Sequence, residues 1–583
     1  MGAQATPTEN TLPLRRADFS TLAEALDYAA LGQTGCNFYT GRGELIAVLS
    51  YAELRRQALD LARQLASFRL PRESRVALVA ATSPDFICFF FACQYAGLVP
   101  VPLPIPFSLG SHQAYVRQLR ALLQSCRPSL AMAPEDYASF LTEAVAGLDI
   151  KYFGTADDFR RLPSAKVEPV PLQPHELAYL QYTSGSTRFP RGVMIKQAAV
   201  MDNLAGIAQY GVDLRPGDRA VSWLPFYHDM GLVGLMLTPV ASQVSVDYLA
   251  TQEFAMRPRQ WLALISKNKA TISFGPPFGY ELCQRRLRPG EAAKFDLSSW
   301  RVAGVGAEMI RTESLREFAR ALAPAGFREE AFLPCYGMAE CSLAVTFAPL
   351  GQGLKVDRVD AERLATEARA VSPAAGSRES EFVDCGRLLP GFELKILDVE
   401  GREVAERQIG VVHLRGPSVM SGYFEDPNST REVLSKEGWL NTGDLGYRVG
   451  DRLYLTGREK DLIIVNGRNI WPQDLEYLAQ QQPEVRPGDA LAFGVPGPDG
   501  SDLTVIVVQC RETDEAKRAD LITRIRSRVQ AEIGVDCLVE LVPLHTLPRT
   551  SSGKLSRSKA RQNFIATHNL AQSRSHQERR AAV

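Results

Sequence analysis

From Leu49 onward, helix-period and strand-like segments take turns along the chain, and this alternation is what most restricts the folds open to it. Tyr51 to Phe68 places Leu54, Ala58, Leu61, Ala62 and Leu65 on one helical face. Arg75 to Ala81 reads as a strand, Asp85 to Ala96 as a helix and Val99 to Leu103 as a strand. A helix over Gln113 to Cys126, a strand over Ser129 to Ala133 and a buried strand over Leu177 to Tyr182 continue the series. Such a rhythm predicts stacked α/β layers with mostly parallel sheets. Between Val383 and Tyr454 it gives way to short strands, such as Phe392 to Leu397 and Val411 to Arg415, which predicts a small β-rich subdomain. A last α/β unit follows from about Asp461. Gly351 to Ser380, rich in Arg, Glu, Asp and Ala, predicts a solvated insertion with one short helix. From about Ala566 the chain turns polar and basic, as a frayed tail does.

With 583 residues, 45% of them hydrophobic, the chain can bury several cores. Its 66 basic residues balance 66 acidic ones, so no net field holds a polyanion, and nucleic acid is not expected as a partner. The ten cysteines are scattered through apolar runs without CxxC pairs, as in the reduced core of a cytoplasmic protein. Phe86 to Ile105 is uncharged throughout, but Pro100, Pro102 and Pro104 would break a membrane-crossing helix, so no integral membrane segment is expected. Met1-Gly2 with Thr6 meets the minimal myristoylation pattern with neither a basic patch nor a second anchor, and is read as coincidence.

Polar islands interrupt the apolar context. Tyr182 to Val193 reads YTSGSTRFPRGV and follows the strand at Leu177. Gly185 lets backbone N–H groups approach phosphate oxygens, Thr183, Ser184, Ser186 and Thr187 add hydroxyls, and Arg188 and Arg191 add charge. That composition suits a polyphosphate, with an ordinary polar turn as the alternative; the Gly-Lys-Ser/Thr of the common P-loop is absent. Trp223 to Gly231 sets His228 and Asp229 just after a strand, where a histidine is either a structural hydrogen-bonder or a working group. Leu333 to Glu340 offers Tyr336 for stacking, and places Glu340 just after a strand and turn. A carboxylate beside a phosphate loop needs a cation, which suggests Mg²⁺, although a helix start would equally account for Glu340. Asn441 to Leu445 presents Asp444 on a glycine turn, suited to vicinal hydroxyls such as those of ribose. Thr456 to Asp461 is a dense charge cluster, and Leu547 to Lys554 ends a Ser/Gly loop in a lysine. Either alone would pass for solvated surface.

Taken together and in this order, the motifs resemble the adenylate-forming, AMP-binding superfamily of acyl-CoA synthetases, peptide-synthetase adenylation domains and luciferases. The match runs from LSYAELRRQALDLA near Leu49 to SSGKLSR near Ser551. Within it, WLPFYHDMGL, AECSLAVTF, VDCGRLLPGFELKIL and DLIIVNGRNIWPQDLE are most similar to the fatty acyl-AMP ligases, which also carry an insertion where Gly351 to Ser380 lies. The resemblance implies an α/β fold: a large amino-terminal domain of two stacked layered subdomains plus a β-rich one, over residues 1–459, and a small mobile α+β domain over 460–583. It assigns ATP phosphates to Thr183, Ser184, Gly185, Ser186, Thr187 and Arg191, and the adenine side to Gly306, Ala307, Glu308, Tyr336, Gly337 and Met338. Ribose falls to Asp444 with Arg458 nearby, Mg²⁺ to Glu340 with Thr187, and the hinge to Lys460. Lys554 resembles the lysine that bridges the substrate carboxylate and the α-phosphate. Departures are Arg188 and Arg191, where the family usually has Gly and Lys, and Val305 and Met309 in place of Asn and Pro.

The implied reaction joins a fatty acid to ATP, giving acyl-AMP and pyrophosphate. The acyl group then passes to the phosphopantetheine of an acyl carrier protein, the insertion disfavouring coenzyme A. His228 is expected to orient the acyl carboxylate, and the chain to enter an apolar tunnel built from Ile272 to Tyr280 and Leu232 to Pro239. The alternatives are an acyl-CoA synthetase, a non-catalytic acyl or nucleotide binder, and an amino-acid adenylation module in which Asp229 holds an α-amino group.

Overall fold

A computed structural model describes residues 4–7, 11–106, 112–166, 168–183, 190–465, 468–486, 488–496, 502–550 and 554–568. The largest sheet has nine strands, with the order Arg387–Leu388, Ala344–Phe347, Phe332–Gly337, Val302–Val305, Ile272–Gly275, Arg219–Ser222, Ser245–Leu249, Gly35–Tyr39 and Leu45–Ser50. Its interior pairs are parallel, while Leu45–Ser50 at one edge, and Ala344–Phe347 with Arg387–Leu388 at the other, run antiparallel. A second, four-stranded parallel sheet runs Val99–Leu103, Arg75–Val79, Leu130–Met132, Tyr152–Gly154.

Between them lies the helix Pro84–Ala96, apolar all round because it is covered on every side: Phe86, Ile87, Phe89, Phe90 and Phe91 are fully buried. Its rings pack Phe86 on Phe226 at 5.3 Å and Phe89 on Phe159 at 5.2 Å. Gly97 ends it in the left-handed conformation at φ 69°, which a side chain would resist. The helix Tyr51–Ala66 beside it buries the five expected residues and is capped by Ser50, whose hydroxyl accepts from the Glu53 N–H at 3.2 Å. The layered α/β architecture is therefore as the periodicity predicts.

The β-rich part is a four-stranded antiparallel sheet of Glu393–Leu397, Gly410–Arg415, Leu440–Val449 and Arg452–Arg458. Beyond it, Ala490–Pro496, Asp502–Gln509 and Leu538–Val542 form a sheet with a core of its own, in which Ile506 and Val508 meet Leu521, Ile525 and Val529 of the helix Glu515–Glu532. The helix Arg557–Thr567 ends where the polar tail was expected to begin, and residues 569–583 lie outside the described ones, as do Met1 and Gly2. Among the described residues, no helix is long and apolar enough to cross a membrane.

Leu177–Tyr182 is the expected buried strand, and it pairs antiparallel with Gly192–Lys196. Two expectations need correction. Asp444 sits within the strand Leu440–Val449, at a bulge, rather than on a free turn. The insertion is more than solvated: besides the helix Ala361–Glu367 it contributes the strand Val356–Asp360, paired with Glu379–Val383. Val359, Leu364, Ala365 and Ala370 are buried against Tyr447, Leu462 and Trp471. A few well-spaced apolar residues are enough to anchor a segment of polar composition.

Candidate active site

The Thr183 N–H donates to the Arg191 carbonyl at 3.1 Å; Ser184, Gly185, Ser186 and Thr187 lie outside the described residues. The segment Ser421 to Phe424 adds to the hairpin edge through Met194 and Gly192, which brings Tyr423 under Arg191. The guanidinium stands 5.2 Å from the Tyr423 ring centroid, and 3.9 Å from Asp426. The Tyr423 hydroxyl donates to Glu340 Oε1 at 2.9 Å. Tyr423 escaped the sequence reading because an uncharged ring between Gly422 and Phe424 carries no polar signal of its own.

Glu340 follows the strand Phe332–Gly337 and is half-buried. Burial pushes its carboxyl above the usual range, although Tyr423 and Arg458 pull the other way. Among the described residues it has no basic side chain within 4.0 Å. A half-buried carboxylate without a cationic partner at that range fits Mg²⁺, which is commonly held by one carboxylate together with substrate phosphates and water.

Elsewhere, the strand Val302–Val305 ends at Gly306, where an added Cβ would meet the Cys335 carbonyl at 2.6 Å. Ala307 follows with φ 67°, a strained setting for a non-glycine residue, and Glu308 and Met338 are half-buried nearby. The Tyr336 hydroxyl donates to Asp444 Oδ2 at 2.7 Å, and Arg458 Nε lies 3.0 Å from Oδ1. The Asp444 carboxylate is thus oriented from two sides by groups 108 residues before it and on the neighbouring strand. Lys460, exposed at the next turn, has its pKa lowered to about 8 by crowding protein and by Arg458.

The chain turns at Pro225 to His228. Gly231 is required there, since an added Cβ would stand 2.2 Å from the Pro225 carbonyl oxygen. Asp229 Oδ1 accepts from the Met230 N–H at 2.8 Å and lies 2.6 Å from His228 Nδ1. Burial raises the Asp229 pKa, but His228, Lys554 and the Met230 N–H together outweigh it, and the net shift is downward. Gly231→Ala is expected to cost about 1–3 kcal/mol of stability, as overpacking does, and to displace His228. Denaturant midpoint and adenylation rate measured together check it, and an unchanged pair would remove the packing argument.

Behind this turn, Leu232 to Leu237 belongs to a wide π-type helix, and its Gly234 and Leu235, with Thr238 and Pro239 beyond it, line an apolar cavity shared with Ile207, Val212, Ile272 and Phe274. Both segments expected to build the acyl tunnel contribute to it. Its free space is only about 20 Å³, enough for little more than one water. Phe274 packs on Gly304, where an added Cβ would lie 2.0 Å from its ring.

Lys554 arrives from the carboxyl-terminal unit. Its Nζ donates to the Ala307 carbonyl at 2.8 Å. Desolvation lowers its pKa, partly opposed by Glu308 and Asp229. That unit is held in place by contacts the sequence did not signal. Arg311 donates to the Gln473 carbonyl and covers the Tyr477 ring at 4.7 Å, while the Tyr477 hydroxyl donates to Glu313 at 2.7 Å. Among the described residues these contacts join Glu340 to Tyr423, Asp444 to Tyr336 and Arg458, His228 to Asp229, and Lys554 to the Ala307 carbonyl.

Known proteins resemble this chain along most of its length. The profile described as AMP-binding enzyme matches residues 39–424. A protein named as a candidate acyl-CoA synthetase of Caulobacter vibrioides is 45% identical over 96% of this chain and 98% of its own. The medium-chain-fatty-acid–[acyl-carrier-protein] ligase of Moorena producens is 33% identical over 95% of this chain and 96% of its own. A solved structure from work on fatty acyl-adenylate ligases of E. coli and L. pneumophila superposes with a TM-score of 0.92 at 48% identity, covering 96% of this chain and all of the other.

Proposed function

We propose that this chain, which belongs to the AMP-binding enzyme family and is a fatty acyl-AMP ligase, passes the acyl group it activates to the phosphopantetheine thiol of an acyl carrier protein rather than to coenzyme A. In the first step a carboxylate oxygen of the fatty acid attacks the α-phosphorus of ATP. The bond from that phosphorus to the bridging oxygen breaks, and pyrophosphate leaves with the electron pair. Two anions must meet, so alignment and charge neutralisation carry the catalysis. Arg191 and the loop hydroxyls hold the phosphates, Asp444 the ribose hydroxyls, and Tyr336 with Gly306 to Glu308 the adenine. Glu340 is the residue that would hold Mg²⁺, which supplies further neutralisation at the phosphates.

The observation that carries this reading is the Lys554 ammonium, 2.8 Å from the Ala307 carbonyl and electrostatically coupled to Asp229 and Glu308. From there it can bridge an acyl carboxylate and the α-phosphate. The nucleophile is already an anion, so His228 serves to orient it and no general base is required. Residue 460 is assigned as the hinge about which the carboxyl-terminal unit, residues 460–583, moves between the two steps. The ten unpaired cysteines support a cytoplasmic site of action.

The choice of acceptor rests on the insertion. Its helix Ala361–Glu367 joins the carboxyl-terminal unit through Glu362 and Arg468 at 2.8 Å, and its apolar residues cover Leu462 and Trp471. Restraint of that unit disfavours the rearrangement that admits coenzyme A. The name of the Caulobacter relative supports the second reading, an acyl-CoA synthetase. Incubating the protein with ATP, a panel of fatty acids, coenzyme A and a holo-carrier protein decides between them: acyl-carrier is the expected product, and predominant acyl-CoA would overturn the proposal.

A further inference from the structure

Arginines from three helices converge at one place on the large amino-terminal part of the chain. The helix Thr251–Met256 ends at Arg257, the helix Arg259–Asn268 begins beside it, and the helix Pro277–Arg286 brings Arg285, Arg286 and the following Arg288 to the same place. The Cys283 thiol, 3.2 Å from the Pro258 carbonyl, pins the last helix there. With Met256, these five arginines line an open pocket of about 300 Å³ that has no carboxylate in its wall. Arg259 is neutralised by Glu291, and Arg285 by Glu281 at 3.4 Å. Arg257, Arg286 and Arg288 have no carboxylate within 4.0 Å among the described residues.

This is a concentrated positive charge on a chain whose 66 basic and 66 acidic residues balance overall. Its place matters as much as its sign. Tyr280, on the same helix, donates its hydroxyl to the Gly304 carbonyl at 2.8 Å, on the strand Val302–Val305 that leads to Gly306 and Ala307. The helix therefore borders the segment that Lys554 reaches, and Arg285 and Arg286 lie within two turns of Tyr280.

We propose that this pocket docks the acceptor: it receives the phosphodiester that joins the phosphopantetheine arm to its carrier protein, with carboxylates around that attachment point meeting the remaining arginines. The inference rests on the carrier-protein reading above. Planar guanidinium groups bind phosphate and carboxylate oxygens in pairs, and unpaired arginines speed encounter with an acidic partner. Met256, 65% exposed at the rim, offers an apolar contact suited to a protein rather than a free nucleotide. The concave wall favours an inserted anion over a flat anionic membrane.

The double variant R286E/R288E tests this in the full-length enzyme. Fatty-acid-dependent ATP–pyrophosphate exchange should stay within about twofold of wild type, while kcat/KM for transfer to a holo-carrier protein that the wild type acylates falls at least about tenfold. The wild-type transfer rate should also decline with salt more steeply than the variant's. Wild-type transfer by the variant would overturn the proposal. So would a variant that keeps transfer but loses binding to phosphatidylglycerol vesicles, which would make the patch a membrane contact. A wild-type enzyme that acylates coenzyme A and no holo-carrier protein would instead overturn the acceptor reading itself, and the docking with it.

Discussion

Replacing Lys554 with alanine is expected to lower the rate of acyl-adenylate formation by about 10²–10³-fold, the usual effect of removing one group aimed at developing charge, while ATP still binds. The ammonium reaches the cleft between the Ala307 carbonyl and the Asp229 and Glu308 carboxylates, and its removal leaves Arg191, Tyr336 and Asp444 untouched. Pyrophosphate exchange and nucleotide binding, measured on the same sample, separate the two effects. Wild-type exchange would remove the assigned role. The pH dependence follows from the same residue. Desolvation lowers the Lys554 pKa in the folded protein, so the charged form is present at low pH and lost as pH rises through that lowered value. The alkaline fall in kcat/KM, which reports the free enzyme, should therefore come at a lower pH than an ordinary lysine would give.

Deleting residues 351–380 is expected to destabilise the fold by several kcal/mol, and so to confound any gain of coenzyme A transfer. Val359, Leu364, Ala365 and Ala370 would leave a buried cluster, exposing Phe382, Ile409, Val411, Leu445 and Tyr447. A large buried apolar side chain is worth about 1.5–3 kcal/mol. Leu445 adjoins Asp444, so the hold of Tyr336 and Arg458 on that carboxylate would loosen as well. Denaturation midpoints check this, and a deletion as stable as wild type would show that the insertion is not part of the core. The acceptor question is better put to Glu362→Lys, which breaks the exposed pair with Arg468. Exposed pairs contribute about 0–1 kcal/mol, so the fold should survive. The share of acyl-CoA should then rise in competition with a carrier protein, and an unchanged share would remove this contact from acceptor choice.

The layered α/β organisation was legible from periodicity because each helix and strand buries a face within its own segment. Tyr51–Ala66 and Val99–Leu103 come out where the pattern puts them, the first shorter by two residues. The hairpin after Tyr182 was less legible: a buried strand has the same composition whichever way its neighbour runs. The insertion misled for a related reason, since average polarity hides four well-placed apolar residues.

Residue chemistry and local period, then, could be taken from the linear order alone: a hydroxyl-rich loop with arginine, a carboxylate after a strand, a lysine on a Ser/Gly loop. Which of these meet is a matter of distances that no local pattern encodes. Tyr423 reaches Glu340 across 83 residues, Tyr336 reaches Asp444 across 108, and Lys554 reaches Ala307 across 247. Only packing of the sheets and of the carboxyl-terminal unit brings those groups to hydrogen-bonding range. The same packing collects arginines from three helices into one pocket, a charge density that the balanced composition of the whole chain conceals.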